Sequence, residues 1–148
     1  MNVAKAPFLL LLLIYAGVSQ ATLGGSPEPF DAESTTVVSG TTPAGSHYVT
    51  RETTLATGTI VREYVADNGV VFALTWEGPF LPDLKALLGK YFDTLVAESA
   101  KMPRAGRSHL SVSDPEVVIH SSGHMRAFEG SAWIPTLFPV GFSDNDLR

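Results

Sequence analysis

The stretch Tyr48–Trp76, YVTRETTLATGTIVREYVADNGVVFALTW, decides the fold. It contains three runs rich in Val, Thr, Tyr and Phe, residues 48–55, 59–65 and 70–76, and each gap between them ends on or near a glycine. Runs of β-branched and aromatic residues that are bounded by turn residues are typical of strands. The stretch therefore predicts a three-stranded antiparallel meander.

The second connection of the meander contains Asn68-Gly69, the strongest short hairpin signal. Because both residues tolerate a positive φ, we predict a two-residue type I′ turn. That turn gives three facing pairs, namely Val65 with Phe72, Glu63 with Leu74, and Val61 with Trp76.

Charge decides the first connection. A two-residue loop would place Glu52 directly opposite Glu63, and like charges in that position repel each other. A three-residue loop, Ala56-Thr57-Gly58 with the glycine in the left-handed conformation, instead pairs Arg51 with Glu63 and Glu52 with Arg62. We therefore predict the three-residue loop.

One face of the predicted meander is apolar and needs a cover. The segment from Pro82 to about residue 101 has apolar residues at helical spacing and predicts a helix that packs on this face. Pro82 suits the first helical position, Asp83 complements the helix dipole, and Pro103 and Gly106 end the helix. The expected apolar face consists of Val49, Leu55, Val61, Val65, Phe72, Leu74 and Trp76. Within the helix, Gly89 is expected to mark close packing on the sheet.

The last third of the chain returns to strand-like sequence. Residues 110–112 and Val117–His120 predict two strands joined by a turn at Asp114-Pro115, and Ser121-Ser122-Gly123 is expected to turn the chain into a strand from about Met125 to Trp133. We therefore predict an α+β fold, an antiparallel sheet of five or six strands with one long helix packed on one face. A small β-barrel wrapped around the helix is the alternative.

The beginning of the chain is typical of an export signal. Lys5 precedes an unbroken apolar run from Phe8 to Ile14, and Ser19-Gln20-Ala21 has the small residues that signal peptidase requires. The run is too short to span a membrane, so we predict a signal peptide over residues 1–21 that is cleaved after Ala21.

Two further segments complete the predicted organisation. Residues 22–46 are rich in Gly, Ser, Thr and Pro and predict a flexible lead, with a short strand at Thr35–Ser39. Residues 47–148 predict a single α+β domain.

Composition excludes several classes of protein. The chain has 148 residues, 15 acidic and 10 basic, and its net charge of −5 argues against a nucleic-acid partner. The chain has no cysteine, which excludes disulfides, thiolate catalysis and Cys-ligated zinc. We therefore expect the apolar core to supply the stability.

Histidines are the first candidates for site chemistry. His120 and His124 flank the expected Ser-Ser-Gly turn, where they could share zinc or copper, with His47 or His109 as a further ligand. The alternative interpretation, which we favour, is two ordinary turn and strand histidines. We accordingly predict no metal and no other cofactor.

Arg51 and Glu63 are the second candidate, a polar site on the apolar face. A partly buried carboxylate with a raised pKa could act as a general base, whereas a cross-strand ion pair would serve structure alone, and we favour the ion pair. No catalytic motif of the serine hydrolases occurs, so we predict no catalytic residue. Five aromatic residues could line a binding surface, but we expect them to serve cohesion: Trp76, Phe80, Trp133, Phe138 and Phe142.

Several motifs spread over the chain resemble a known family. They are Leu23-Gly24-Gly25, Gly58–Tyr64 (GTIVREY), Trp76–Pro79 (WEGP), Pro82-Asp83-Leu84 with Leu87–Phe92 (LLGKYF), and Gly123–Phe128 (GHMRAF). Together they resemble the domain-of-unknown-function family twenty-eight forty-four of exported proteobacterial proteins. The resemblance implies a Gram-negative envelope setting and brings no known activity, catalytic residue or cofactor.

These observations lead to an expectation for function. We expect an exported protein, periplasmic or extracellular, that acts as a non-enzymatic binding or accessory module for an envelope protein or glycan. We expect no transmembrane segment after signal cleavage. One alternative is a periplasmic carrier that holds a small apolar ligand beneath Leu87, Tyr91 and Phe72. A less favoured alternative is an envelope hydrolase that uses Glu63 or the histidines.

Overall fold

The computed structural model describes residues 22–27, 29, 32–102 and 109–148. The predicted signal peptide and the predicted helix end at Pro103 and Gly106 lie outside these residues. Seven strands are present in the described part: β1 (Ala32–Thr41), β2 (His47–Leu55), β3 (Ile60–Ala66), β4 (Val71–Gly78), β5 (His109–Ser113), β6 (Val118–His124) and β7 (Ala127–Trp133). The helical segment is α1 (Leu84–Leu88), a 3₁₀ turn (Gly89–Tyr91) and α2 (Phe92–Lys101).

The strands form one antiparallel sheet in the order β1-β2-β3-β4-β7-β6-β5. The α+β prediction is confirmed, and the sheet is open, with β1 and β5 as its edges, so the barrel alternative is wrong. The sheet has seven strands where five or six were expected, because the segment expected as a flexible lead contributes β1. This strand pairs with β2 along nearly its whole length and is longer than the expected Thr35–Ser39 strand.

The first three hairpins have the same loop. In each, the first loop residue accepts a hydrogen bond from a glycine N–H three positions later, and its own N–H donates to the carbonyl of the fifth residue. This is a type I turn followed by a left-handed glycine, and the φ values are 86°, 82° and 78°. The three loops are Thr42–Ser46, Leu55–Thr59 and Ala66–Val70.

The predicted loop at Ala56-Thr57-Gly58 is therefore confirmed, with Arg51 facing Glu63 and Glu52 facing Arg62. The predicted type I′ turn at Asn68-Gly69 is wrong, since the loop also includes Asp67 and only its glycine has a positive φ.

A β-bulge in β4 corrects the register after this loop. Val65 pairs with Val71, so the predicted pairing with Phe72 is wrong, but Tyr64 pairs with Ala73 and the remaining predicted pairs are formed. The extra residue places Phe72 on the sheet face opposite the helix, where it packs with Tyr64. The expected apolar face therefore loses Phe72.

The two faces of the sheet consequently have separate cores. We call the side under the helix the helix face; its buried strand residues are Val61, Leu74, Trp76, Val112, Ile119 and Ala132. We call the other side the open face; its aromatic cluster is formed by Tyr64, Phe72, Trp133 and Phe142. The C-terminal segment, residues 138–148, packs over part of this second cluster.

The helical segment begins two residues later than predicted, at Leu84 instead of Pro82, and is interrupted. Asp83 is the N-cap, and its carboxylate accepts from the Lys85 and Ala86 N–H groups, so Pro82 precedes the helix. At Gly89 φ is 55°, which breaks the α-helical hydrogen bonding for one turn. Gly89 therefore interrupts the helix. From the sequence, Gly89 was expected only to mark close packing on the sheet, and this interruption was not predicted.

The carbonyl groups near this interruption are satisfied by the N-terminal segment. Thr22 and Leu23 donate main-chain hydrogen bonds to Ala86 and Leu87, and the Thr22 hydroxyl also donates to Leu87, at 2.9 Å. Leu23 is buried in the helix-face core and forms an isolated parallel β-bridge with Val71. These residues, part of the expected lead, tie the helix to the sheet.

The last hairpin differs from the prediction. The turn at Asp114 is formed, but β6 continues through Ser121-Ser122-Gly123, so the expected turn there is wrong. The chain turns at Met125-Arg126, where Arg126 has a φ of 67°. Gly123 instead lets the Phe128 ring pack closely against the backbone of β6, because a Cβ at this position would lie 2.5 Å from that ring.

Candidate binding site

A row of polar side chains crosses the whole open face. One residue of each strand faces the next in register, and every one is polar or charged. Since neighbouring strands lie about 4.8 Å apart, the row is about 29 Å long. We call this set the polar row: Thr36, Glu52, Arg62, Thr75, Ser131, His120 and Ser111.

Two grooves lie along the polar row. The larger groove, of about 660 Å³, extends over β4, β7, β6 and β5, and the smaller groove, of about 490 Å³, lies over β1, β2 and β3. Arg62 and Arg148 border both grooves, so the C-terminal segment divides the row into two parts. The side chains of the larger groove include Thr75, His109, Ser111, His120, Ser122, Glu129, Ser131 and Trp133.

Side chains of the sheet hold this dividing segment in place. The Arg148 carbonyl accepts hydrogen bonds from the Tyr64 hydroxyl, at 3.1 Å, and from the Thr75 hydroxyl, at 3.0 Å. Earlier in the segment, the Phe142 ring packs edge-on against Phe72, with centroids 4.8 Å apart. The wall between the grooves is therefore anchored by both polar and aromatic contacts.

Charge is balanced where the two grooves meet. The Arg62 guanidinium donates to the Glu52 carboxylate at 2.7 Å and lies 3.9 Å from the Glu77 carboxylate. Because Arg62 is committed to these two acids, this part of the row does not offer a free cation for an anionic ligand.

The other half of the row presents hydroxyl, imidazole and carboxylate groups. Nδ1 of His120 shares a hydrogen bond with the Ser111 hydroxyl at 3.0 Å, and its ring lies 5.2 Å from the Trp133 ring. The Ser122 hydroxyl donates to Glu129 at 2.9 Å. In the described residues, these contacts orient the side chains and leave His120 Nε2 and one Glu129 oxygen to meet a ligand.

The structure does not bring His120 and His124 together. They lie four residues apart on one strand, which separates them by about 13 Å, since no turn occurs between them. His109 lines the same groove as His120, and His47 contacts Thr41 at the other end of the sheet. Across the described ranges, no three His, Asp or Glu side chains are placed to hold a metal ion.

Arg51 and Glu63 do form the predicted pair. The Arg51 guanidinium donates to the Glu63 carboxylate at 3.0 Å, and the Glu63 side chain is fully buried while Arg51 is 25% exposed. Glu63 pairs with Leu74 and lies on the helix face. His120 lies on the open face, because Ile119, the preceding residue of β6, is buried on the helix face. Glu63 and the groove histidine are therefore on opposite sides of the sheet.

The predicted aromatic set is divided among three environments. Trp76 is buried on the helix face, as expected for a cohesive role, and Phe138 and Phe142 pack on Phe72. Phe80 is 58% exposed, contrary to the expectation that it serves cohesion. Trp133 packs in the open-face cluster and also lines the larger groove.

Sequence reasoning missed the polar row. The signal was the alternation of histidine and serine with apolar residues in His109–Ser113 (HLSVS). The row itself depends on the register of β4 with β7, two strands that are distant in the chain, and local patterns do not give that register.

Within the described part of the chain, no helix has both the length and the apolar character needed to cross a membrane.

Comparisons with known proteins give a family and no activity. The family model described as "Protein of unknown function (DUF2844)" matches residues 19–147, which confirms the predicted resemblance. No curated protein and no solved structure matches the chain. Any function must therefore be argued from the geometry of the site.

Proposed function

The chain belongs to the DUF2844 family of proteins of unknown function, so we propose its role from the structure of the open face. The proposed role is that of a non-enzymatic module that binds a glycan in the larger groove. The observation that carries the proposal is the part of the polar row within the larger groove, which gives a line of hydrogen-bonding side chains across β7, β6 and β5. The groove volume of about 660 Å³ lies within the usual range of ligand sites, roughly 300–1,000 Å³.

The chemistry of the groove favours a polyhydroxylated ligand over a protein surface. The centre of a protein interface is usually apolar and desolvated, with aromatic anchors. The groove instead offers the Ser131 hydroxyl, the His120 imidazole and the Glu129 carboxylate, with Trp133 along its wall. Hydroxyl groups of a sugar can both donate to and accept from such side chains.

The arrangement of Ser111 and His120 supports binding more than hydrolysis. A serine nucleophile needs a base that a third group orients. Among the described residues no carboxylate contacts the His120 ring, and the buried Glu63 lies on the other face. The Ser111–His120 hydrogen bond therefore supports a role in holding a ligand.

Packing on the helix face gives little support to the carrier alternative. Leu87 and Tyr91 are buried against the sheet, whereas Phe72 lies on the open face. The three side chains expected to surround an apolar ligand therefore do not share one cavity.

We also propose that the module is exported and acts in the periplasm or outside the cell, in contact with envelope glycans. The support is the sequence pattern of residues 1–21. Intact-mass measurement of protein recovered from a periplasmic fraction is expected to give a chain that begins at Thr22. A mass that includes Met1 would contradict export by cleavage.

Binding to an array of bacterial oligosaccharides, followed by titration calorimetry with the strongest ligand, tests the proposal. His120→Ala is expected to weaken binding about tenfold, the loss of roughly one hydrogen bond to the ligand. His124→Ala is the matched control, the same change on the same strand outside the groove, and is expected to leave affinity unchanged. Absence of any glycan ligand, or equal affinity of the two variants, would refute the proposal.

A further inference from the structure

The two edges of the sheet differ in how they are protected. β5 has five residues, and a short edge strand offers little template for pairing. β1 has ten residues and, after a bulge between Ala32 and Ser34, pairs regularly with β2. Edge strands are usually protected by charge, proline or a covering element, yet no charged residue and no proline occurs from Ser34 to Thr42.

The exposed side of β1 has the composition of an interior strand. Val37 and Val38 are 60% and 58% exposed and project to opposite faces of the sheet. Val37 is in register with Arg51, and Val38 is in register with Thr50. An additional strand beside β1 would therefore cover a valine on each face.

The smaller groove is open at this same edge. Thr36 and Val38 are its outermost lining residues, and no described strand lies beyond them. The groove thus has one wall, at the C-terminal segment, and ends at the edge of β1. A strand added there would extend its floor.

We propose that β1 pairs antiparallel with β1 of a second copy of this chain, around a two-fold axis near Val37 and Val38. Antiparallel pairing of one strand with itself satisfies the same donors and acceptors on both copies. An axis perpendicular to the sheet keeps both open faces on one side, so the smaller grooves merge across the new strand pair.

The absence of charge on β1 makes this strand complementary to the same strand of a second copy, which is equally uncharged from Ser34 to Thr42. Each chain has a net charge of −5, so two copies repel over most of their surfaces. The uncharged stretch from Ser34 to Thr42 lets two such molecules approach without placing carboxylates against each other. This inference does not depend on the ligand proposed for the larger groove.

The oligomeric state in solution tests the proposal. Light scattering over a concentration series is expected to give twice the chain mass for the wild type and the single-chain mass for Val38→Lys, because a charge on an edge strand opposes pairing. Val96→Lys is the control, since Val96 is 48% exposed on the helix, and it is expected to stay dimeric. A monomeric wild type, or a dimer that Val38→Lys leaves intact, would overturn the proposal.

Cysteine substitution locates the contact independently of affinity. The chain has no cysteine, so a single Val37→Cys or Val38→Cys variant can form a disulfide only between two copies. Mild oxidation is expected to yield the covalent dimer from at least one of these variants and not from Val96→Cys. Covalent dimer from Val96→Cys alone would place the contact elsewhere and contradict the β1 pairing.

Discussion

The β2–β3 hairpin contains two neighbouring Arg–Glu ion pairs, one on each face of the sheet. Arg51 and Glu63 meet on the helix face, where the Glu63 side chain is fully buried, and Arg62 and Glu52 meet on the open face, where Glu52 is 42% exposed. The same chemistry therefore occurs at two levels of solvation. Because water weakens exposed pairs, the two glutamates should differ in their contribution to stability.

Glu63→Gln is expected to lower the free energy of unfolding by about 1–3 kcal/mol, since it removes the charge from a buried hydrogen bond. Glu52→Gln, the control, is expected to cost less than about 1 kcal/mol. Urea denaturation of both variants measures the difference. A cost for Glu52→Gln equal to or above that of Glu63→Gln would show that burial does not set the strength of these pairs.

Gly130 is required for the packing of Trp76. A Cβ at this position would lie 2.1 Å from Cζ2 of Trp76 and 2.6 Å from the His120 carbonyl oxygen. Gly130→Ala is therefore expected to cost at least about 2 kcal/mol of unfolding free energy, the range of overpacked cores.

A second substitution separates this clash from other effects of Gly130→Ala. Within the described residues Nε1 of Trp76 has no hydrogen-bond partner, so Trp76→Phe removes ring volume without breaking a hydrogen bond. The double variant is expected to lose less stability than the sum of the two single losses, measured by urea denaturation. Simple additivity would mean that the Trp76 ring is not the source of the strain.

At the scale of elements, the repeated hairpin loop isolates a backbone effect. Gly69 has a φ of 78°, and a Cβ there would meet no atom within 4 Å. Gly69→Ala is expected to cost about 1 kcal/mol, because a left-handed L-residue is strained, and Gly69→Asn less, because asparagine tolerates this conformation. Thermal or urea unfolding of both variants checks the order. Equal losses would indicate that the conformation is not what glycine supplies.

Local signals in the sequence were sufficient for most elements. The apolar periodicity of the helix, the glycine of the Ala56-Thr57-Gly58 loop and the charge pairing of Arg51 with Glu63 each depend on neighbours in the chain or across one short loop. Such features can be predicted because the loop length fixes the register.

The predictions were wrong where the same type of residue can serve two different structural roles. Gly123 resembles a turn glycine but makes room for the Phe128 ring, and Phe72 belongs to a bulge that only the paired strands reveal. The expected lead at residues 22–46 has few large apolar residues, but β1 is stabilised by main-chain pairing with β2. The polar row could not be predicted, since it requires six registers at once, and one of them joins β4 with β7, which are distant in the chain.

At the scale of the whole molecule, one sheet separates the larger apolar core from the polar row. The helix face carries the larger apolar core, and the open face combines a smaller aromatic cluster with the polar row. A single-residue shift of β4 would exchange its two sets of side chains, and the bulge at Phe72 prevents this by restoring the register after the Ala66–Val70 loop. The side chains that β4 contributes to the open face therefore depend on the bulge that follows the Ala66–Val70 loop.

The N-terminal segment joins the two layers of the molecule. Leu23 is 3% exposed in the core beneath the helix; its own N–H donates to the Leu87 carbonyl, and the next two residues, Gly24 and Gly25, exchange main-chain hydrogen bonds with Val71. Removing its side chain should therefore loosen the helix against the sheet as well as create a cavity.

Leu23→Ala is expected to lower the free energy of unfolding by about 2–4 kcal/mol, as for other buried leucines, and to speed hydrogen exchange at the Leu23 amide, which donates to the Leu87 carbonyl of the helix. Leu81→Ala, at a residue 48% exposed, is the matched control and is expected to cost less than about 1 kcal/mol. Urea denaturation and amide exchange measure the two effects separately. Equal losses from the two variants would mean that this segment is not part of the cooperative fold, because a leucine that joins helix and sheet must contribute more than one on the surface.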